Sequence, residues 1–174
     1  AGLANDSWNA LDSIYQVPGA SSLFDAVAVH PYTAQAAGVI KILSLVRGVM
    51  NSYGDRRKPI LVTELGWPSS LGHTSNTFGV ATTPKGQAQR LGEAIPLVAA
   101  ARTRLNIAGF DVYTWMGDEQ PGANTFNYSG LFAFSPSGEV VHSKPAYQAF
   151  RKAALSIEGC RIKGPLATGC ARGG

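Results

Sequence analysis

Cysteine, histidine and long apolar runs are all scarce in this chain of 174 residues, and each scarcity removes a class of function. Cys160 and Cys170 are the only cysteines, and the histidines are His30, His73 and His142. That is too thin a set for a zinc site built on Cys and His, so neither a metal nor a cofactor is expected. No apolar stretch approaches the roughly 20 residues of a membrane helix, so no membrane partner is expected. No glycine-rich phosphate cradle follows any strand-like run, which argues against nucleotide binding. Charge is sparse too: Asp, Glu, Lys and Arg make up 15% of residues, and the net charge is +4. The basic residues are scattered, with Arg56-Arg57-Lys58 the one run. A nucleic-acid footprint needs a denser basic stripe, so this run reads as a solvated loop. The chain opens at Ala1 without a methionine or a signal-peptide pattern, as expected if an upstream segment has been removed.

What is present fits one globular domain over residues 1–174: hydrophobic residues account for 45% and mean hydropathy is +0.01. The stretch 158–174, rich in glycine and small residues, reads as a tail strapped to that domain. Cys160 and Cys170 close a short loop within it. In an oxidising compartment the pair is a disulfide; otherwise it is two free thiols or half of a metal site. The disulfide is the favoured reading, and it implies a secreted, extracellular protein.

Three near-continuous apolar runs, 24–30, 59–64 and 109–115, read as buried parallel strands covered by helices. Between them apolar residues recur at helical spacing. Val39, Ile42, Leu43, Val46, Val49 and Met50 make one stripe. Thr83-Pro84 is a capped helix start leading to Leu91, Ala94, Ile95 and Val98, with Pro96 expected to kink that helix. Ser143-Lys144-Pro145 opens a last helix, and Trp8, Leu11, Ile14 and Tyr15 suggest a first one. This alternation of helix and strand predicts an α/β fold with a parallel sheet.

All three strands end in polar or aromatic residues: His30-Pro31-Tyr32, Glu64-Leu65-Gly66-Trp67, and Trp115-Met116-Gly117-Asp118-Glu119. Parallel strands place these ends on one face, where ligands bind in barrels and open sheets. A carboxylate there, with aromatic neighbours, can attack an anomeric carbon. Trp67 and Trp115 are candidate platforms for sugar rings, since an indole offers an apolar face and an N–H donor. His30 and Tyr32 are candidates to hold the Glu64 carboxylate and keep it ionised.

These strings resemble a known group. Phe24-Asp25-Ala26-Val27-Ala28-Val29-His30-Pro31-Tyr32 resembles the sixth strand of clan A glycoside hydrolases. Ile60-Leu61-Val62-Thr63-Glu64-Leu65-Gly66-Trp67-Pro68-Ser69 is similar to their seventh, where the nucleophilic glutamate lies. Phe110-Asp111-Val112-Tyr113-Thr114-Trp115 is similar to the eighth, whose tryptophan floors the sugar site. Ser129-Gly130-Leu131-Phe132 and Lys144-Pro145-Ala146-Tyr147 resemble the ending of these enzymes. The resemblance is nearest to families thirty-nine and five, and the Glu64 string is also similar to plant-type β-1,3-glucanases of family seventeen. It runs from about residue 20 to 155. It implies the C-terminal half of a (β/α)8 TIM barrel, from about strand five or six to strand eight, since a whole barrel takes about 250 residues. It also implies a retaining glycosidase with Glu64 as nucleophile, acting on a β-linked glycoside or polysaccharide. His30, Tyr32, Trp67 and Trp115 would bind substrate.

Clan A enzymes carry the acid/base glutamate at the end of the fourth strand, usually after an asparagine, and no such segment occurs here. Asn5-Asp6 is a poor substitute by position. Retaining hydrolysis needs two carboxyl groups about 5–5.5 Å apart. Two completions are expected: an N-terminal half-barrel absent from this sequence, or a homodimer closing two halves into one ring. In that ring Asp118 or Glu119 of the partner copy would stand near the vacant acid/base position. The alternative function is a non-catalytic carbohydrate-binding or vestigial half-barrel module.

Overall fold

The structure is a computed structural model, and it describes every residue except 1, 5, 121, 135, 136, 139, 140, 165 and 172–174. The main sheet has four parallel strands in the order β1 (Leu3–Ala4), β2 (Val27–His30), β3 (Ile60–Leu65) and β4 (Ile107–Val112). Between successive strands run α1 (Ser7–Tyr15), α2 (Ala36–Ser52) and α3 (Pro84–Leu105). After β4, β5 (Met116–Gly117), β6 (Phe132–Phe134) and β7 (Val141–Ser143) form a small second sheet leading into α4 (Pro145–Ile157). The tail folds as a hairpin of β8 (Arg161–Lys163) and β9 (Leu166–Thr168), and Cys160 is disulfide-bonded to Cys170.

The strand and helix order expected from sequence is thus present, with Leu3–Ala4 as a short leading strand. Helix α3 begins where expected: the Thr83 hydroxyl accepts from the Gly86 amide at 3.1 Å, and Pro84 occupies the first turn, where a missing N–H costs nothing. The helix runs on through Pro96 to Leu105.

The helices pack against one face of the sheet. Val27, Val29, Ile60 and Val62 point into that layer and are fully buried against Leu43, Val46, Met50 and Leu91. Each such side chain contributes about 1.5–3 kcal/mol on leaving water. The opposite face carries Ala28, His30, Leu61 and Thr63, and Leu61 is 37% exposed. One sheet face therefore makes the core, and the other leads up to the strand ends.

Arg47 is the one guanidinium inside this layer among the described residues, at 6% exposure. Its Nε donates to the Leu105 carbonyl and its Nη2 to the Lys58 carbonyl, both at 2.9 Å. It thereby ties α2 to the chain ends entering β3 and β4, far along the strands from Glu64. Arg47→Met orphans those carbonyls in a dry site, a cost of about 1–3 kcal/mol for a buried polar group. The expected drop in melting temperature is about 2–12 °C, at 2–4 °C per kcal/mol for a domain of this size. Calorimetry checks it, and an unchanged midpoint would contradict the anchoring role.

Candidate active site

Strand β2 ends at His30 and strand β3 carries Glu64 one residue before its end, so both side chains arrive at the same edge of the sheet. The Tyr32 hydroxyl donates to Glu64 Oε2 at 2.7 Å. His30 Nδ1 lies 3.3 Å from the same oxygen, and its Nε2 is 3.0 Å from the Thr63 hydroxyl. The tautomer that satisfies both contacts has Nδ1 donating to Glu64 and Nε2 accepting from Thr63. Two donors on one carboxylate oxygen fix its direction.

Above this carboxylate is a cleft of about 380 Å³. Its walls are aromatic: Tyr32, Tyr113, Phe78 and Phe126 line it. The Phe126 ring lies 5.3 Å from that of Tyr32 and 5.5 Å from that of Phe78, centre to centre. Phe78 sits at φ 46°, a left-handed backbone that bulky residues rarely adopt, and its amide is held by the Asn76 side chain at 3.2 Å. Among the described residues lining the cleft, Glu64 is the one carboxylate, and there is no Lys or Arg.

The loops that carry these rings are pinned to the strand ends. Gly66 is needed where it stands: a Cβ there would meet the Tyr113 carbonyl oxygen at 2.1 Å, so only glycine lets β4 bring Tyr113 beside Glu64. The Ser69 amide donates to the Tyr128 carbonyl at 3.1 Å, and Ser70 bonds Thr125 through their hydroxyls. Buried Lys144 completes the clamp, donating to Ser69 Oγ at 2.7 Å and the Tyr128 carbonyl at 2.8 Å while pairing with Glu119. Burial pulls the Lys144 ammonium below its usual range, and Glu119 opposes that pull.

No protein-family model and no curated protein sequence matches this chain. Among solved structures it is similar to a GH10 xylanase from Bispora. sp MEY-1 crystallised with xylobiose, with a TM-score of 0.54 and 18% identity. The match covers 86% of this chain and 43% of the xylanase, so the chain spans less than half of that protein's length. A β-glucosidase, 1317, in its apo form, matches with a TM-score of 0.41 and 21% identity over 64% of this chain and 26% of that one. The second likeness is too weak to argue from. The first shows the fold: an α/β sheet and helices shared with a TIM-barrel glycosidase.

Against this fold the sequence expectations divide. His30, Tyr32 and Glu64 come together. Trp67 does not join them: it is 0% exposed, and its indole N–H donates to the Thr33 carbonyl at 2.6 Å. Its place in the core corrects the expectation of a sugar platform. Trp115 is 56% exposed but stands outside the cleft, against Phe132 at 4.9 Å and Tyr147 at 6.1 Å. The reason is that β4 ends at Val112, three residues sooner than expected, and the chain then crosses to pair with β6, with the Phe132 amide donating to the Trp115 carbonyl. Glu119 is engaged by Lys144 and is not a free carboxylate, whereas Asp118 borders a neighbouring cavity. Asn5 lies outside the described residues. The ring-bearing positions that sequence reasoning missed are Phe78, Tyr113 and Phe126.

The Tyr32 hydroxyl titrates far above the usual 10.0, chiefly through burial, then through its hydrogen bond to Glu64 and that group's charge. Tyr15, which donates to Asp55 at 2.8 Å, is raised for the same reasons. Above about pH 10 the unfolded chain loses these protons and the folded chain keeps them, so stability falls with pH. Lys144, lowered from 10.5, acts in the opposite sense up to that value. Melting temperature is therefore expected to decline from about pH 10 upward, and a Tyr15→Phe, Tyr32→Phe double variant to decline less. A midpoint that rises between about pH 10 and pH 12 would contradict this.

Proposed function

We propose that this chain is the nucleophile-bearing half of a retaining glycosidase barrel, with Glu64 attacking the anomeric carbon of a β-linked glycoside or polysaccharide. The observation that carries the reading is one carboxylate, held by Tyr32 at 2.7 Å and His30 at 3.3 Å, at the floor of a cleft walled by aromatic rings. A carboxylate directed by donors is a competent nucleophile, and ring faces suit the apolar faces of sugars. The fold likeness to a xylanase supports the same reading. The cysteine bridge supports an oxidising, extracellular setting.

Displacement gives a covalent glycosyl-enzyme, and water then hydrolyses it. Both steps need a second carboxyl group, first as acid and then as base. None lines the cleft beside Glu64 among the described residues. Its source is either strands standing before β1 in a whole barrel or Asp118 of a second copy in a closed two-chain ring.

That same lack favours a second reading, a carbohydrate-binding module that keeps the cleft without turnover. Release of nitrophenolate from 4-nitrophenyl β-glycosides, followed beside sugar binding, separates the two. Release supports the enzyme. Binding without release supports the module.

A further inference from the structure

The end of the sheet away from Glu64 has a chemistry of its own. There the loop before β3 and the last turn of α3 are tied together: Asn106 Nδ2 donates to the Arg57 carbonyl, and the Ile60 amide to the Asn106 carbonyl, both at 2.9 Å. Ile157 and Glu158, at the close of α4, border a cavity with Arg102 and Ile107, so the β8–β9 hairpin starts from the same end. Glu64 stands four residues along β3 from Ile60, about 13 Å at the rise of a strand.

Three pairs of exposed cations stand at this end: Arg56 and Arg57 before β3, Arg102 and Arg104 in the last turn of α3, and Arg161 and Lys163 on β8. Arg161 and Lys163 are two residues apart on one strand, so their side chains leave the same face of the hairpin. None of the six side chains has a hydrogen-bond or ion-pair partner among the described residues. The carboxylates here are fewer and partly engaged. Asp12 accepts from Tyr53 at 3.0 Å, Asp55 pairs with Lys58 at 2.7 Å, and Asp25 and Glu158 are exposed. The net charge is placed to match: residues 1–150 hold ten Lys or Arg and ten Asp or Glu, whereas 151–174 hold five and one.

Uncompensated like charges repel one another and attract a polyanion. Five of the six are arginines, whose planar fork takes a carboxylate by two parallel bonds. The Cys160–Cys170 bridge closes the hairpin, so a ligand meets a surface already ordered. The described residues of the hairpin offer one large exposed apolar side chain, Leu166, too little to insert into a lipid layer.

We propose that this basic end is a docking surface for an acidic polysaccharide, whose repeated carboxylates pair with the three cation pairs. It tethers the protein and leaves the Glu64 cleft, at the other end of the strands, open. The tether does not depend on Glu64 cutting glycosides.

The test measures binding of the intact chain to immobilised polygalacturonate, to its methyl-esterified and therefore uncharged counterpart, and to phosphatidylcholine vesicles containing phosphatidylglycerol. Binding is expected to polygalacturonate alone, and to be lost as sodium chloride approaches ~0.5 M, where exposed charges are screened within a few ångströms. Arg161→Gln with Lys163→Gln, and separately Arg56→Gln with Arg57→Gln, should each weaken it about fivefold or more. Lys41→Gln with Lys85→Gln removes the same charge from exposed positions at the cleft end, and should change it by less than about twofold. All these side chains are exposed, so each variant is expected to melt like the parent, and the two basic-end variants test the surface independently. No binding to polygalacturonate, equal binding to the esterified chain, or vesicle binding as tight as polymer binding would each overturn the proposal. So would an equal loss in the Lys41, Lys85 variant, which would show that net charge alone is at work.

Discussion

Glu64→Gln is expected to remove glycoside turnover by a factor on the order of 10⁴ or more, the scale seen when a nucleophile is deleted from a unit that works together. Glutamine keeps the length and shape of the side chain. It can still accept from the Tyr32 hydroxyl, which lies 2.7 Å from Oε2 in the parent chain. What it loses is the negative charge that, in the proposed mechanism, attacks the anomeric carbon and answers the positive charge growing on the sugar ring. The fold should be indifferent, because Glu64 lies at the rim of the sheet and not in the helix-covered layer. A surface-side change of this kind usually moves stability by no more than about 0.5 kcal/mol. The measurement is phenolate release from activated aryl β-glycosides, read beside a thermal melt of each protein. Turnover that survives the substitution would remove Glu64 from the chemistry.

Trp67→Ala is expected to produce the largest loss of stability of any single substitution near the site. The indole is wholly enclosed, and its N–H is satisfied by the Thr33 carbonyl at 2.6 Å. Truncation leaves a cavity and an orphaned carbonyl, and a buried Trp→Ala change costs about 3–5 kcal/mol. At 2–4 °C per kcal/mol the melting midpoint falls by about 6–20 °C. There is a functional consequence as well. Thr33 follows Tyr32, so the indole bond sets where the loop after β2 lies relative to Glu64 on β3. Trp67→Phe keeps most of the volume and breaks only that bond, so it should cost less stability and still loosen Tyr32. Chemical denaturation of both variants measures the effect, and a Trp67→Ala protein as stable as the parent would show that the ring is not a core element.

The positions of Trp67 and Trp115 mark where local reading of the sequence stops. Strands β2, β3 and β4 were legible because each is a near-continuous apolar run, which is what a strand covered by helices requires. His30, Tyr32 and Glu64 were legible because the ends of parallel strands share one edge. Trp67 was not, because the β3–β4 register breaks between Val62 and Leu65, and strict alternation cannot be carried past such an irregularity. Trp115 was misplaced because the chain leaves the main sheet after Val112 and pairs with β6, a partner chosen far along the sequence. Phe78 comes from a loop and Phe126 from the short 3-10 helix Thr125–Ser129, and the seating of both segments depends on distant links, Ser69 to Tyr128, Ser70 to Thr125 and Lys144 to Glu119. A signal was nonetheless present: single aromatics set in stretches of Thr, Asn, Ser and Gly have no local strand or helix to pack into, and such rings often serve a binding surface. Tyr113 lay inside the third strand-like run, and only the close approach allowed by Gly66 shows that it reaches the cleft.

The claim that Glu64 is the nucleophile is tested most directly by trapping its covalent intermediate. Dinitrophenyl 2-deoxy-2-fluoro-β-glycosides suit the purpose. Dinitrophenolate leaves without protonation, so the first step does not wait on the second carboxyl group. The fluorine then slows hydrolysis of the intermediate by destabilising its oxocarbenium-like transition state. After incubation with glucose and xylose versions of the reagent, intact-mass spectrometry is expected to show one fluoro-sugar per chain. Peptide mapping should place it on Glu64, and the Glu64→Gln protein should stay unlabelled. An unlabelled parent chain with both reagents, or a label on any other residue, would contradict the account.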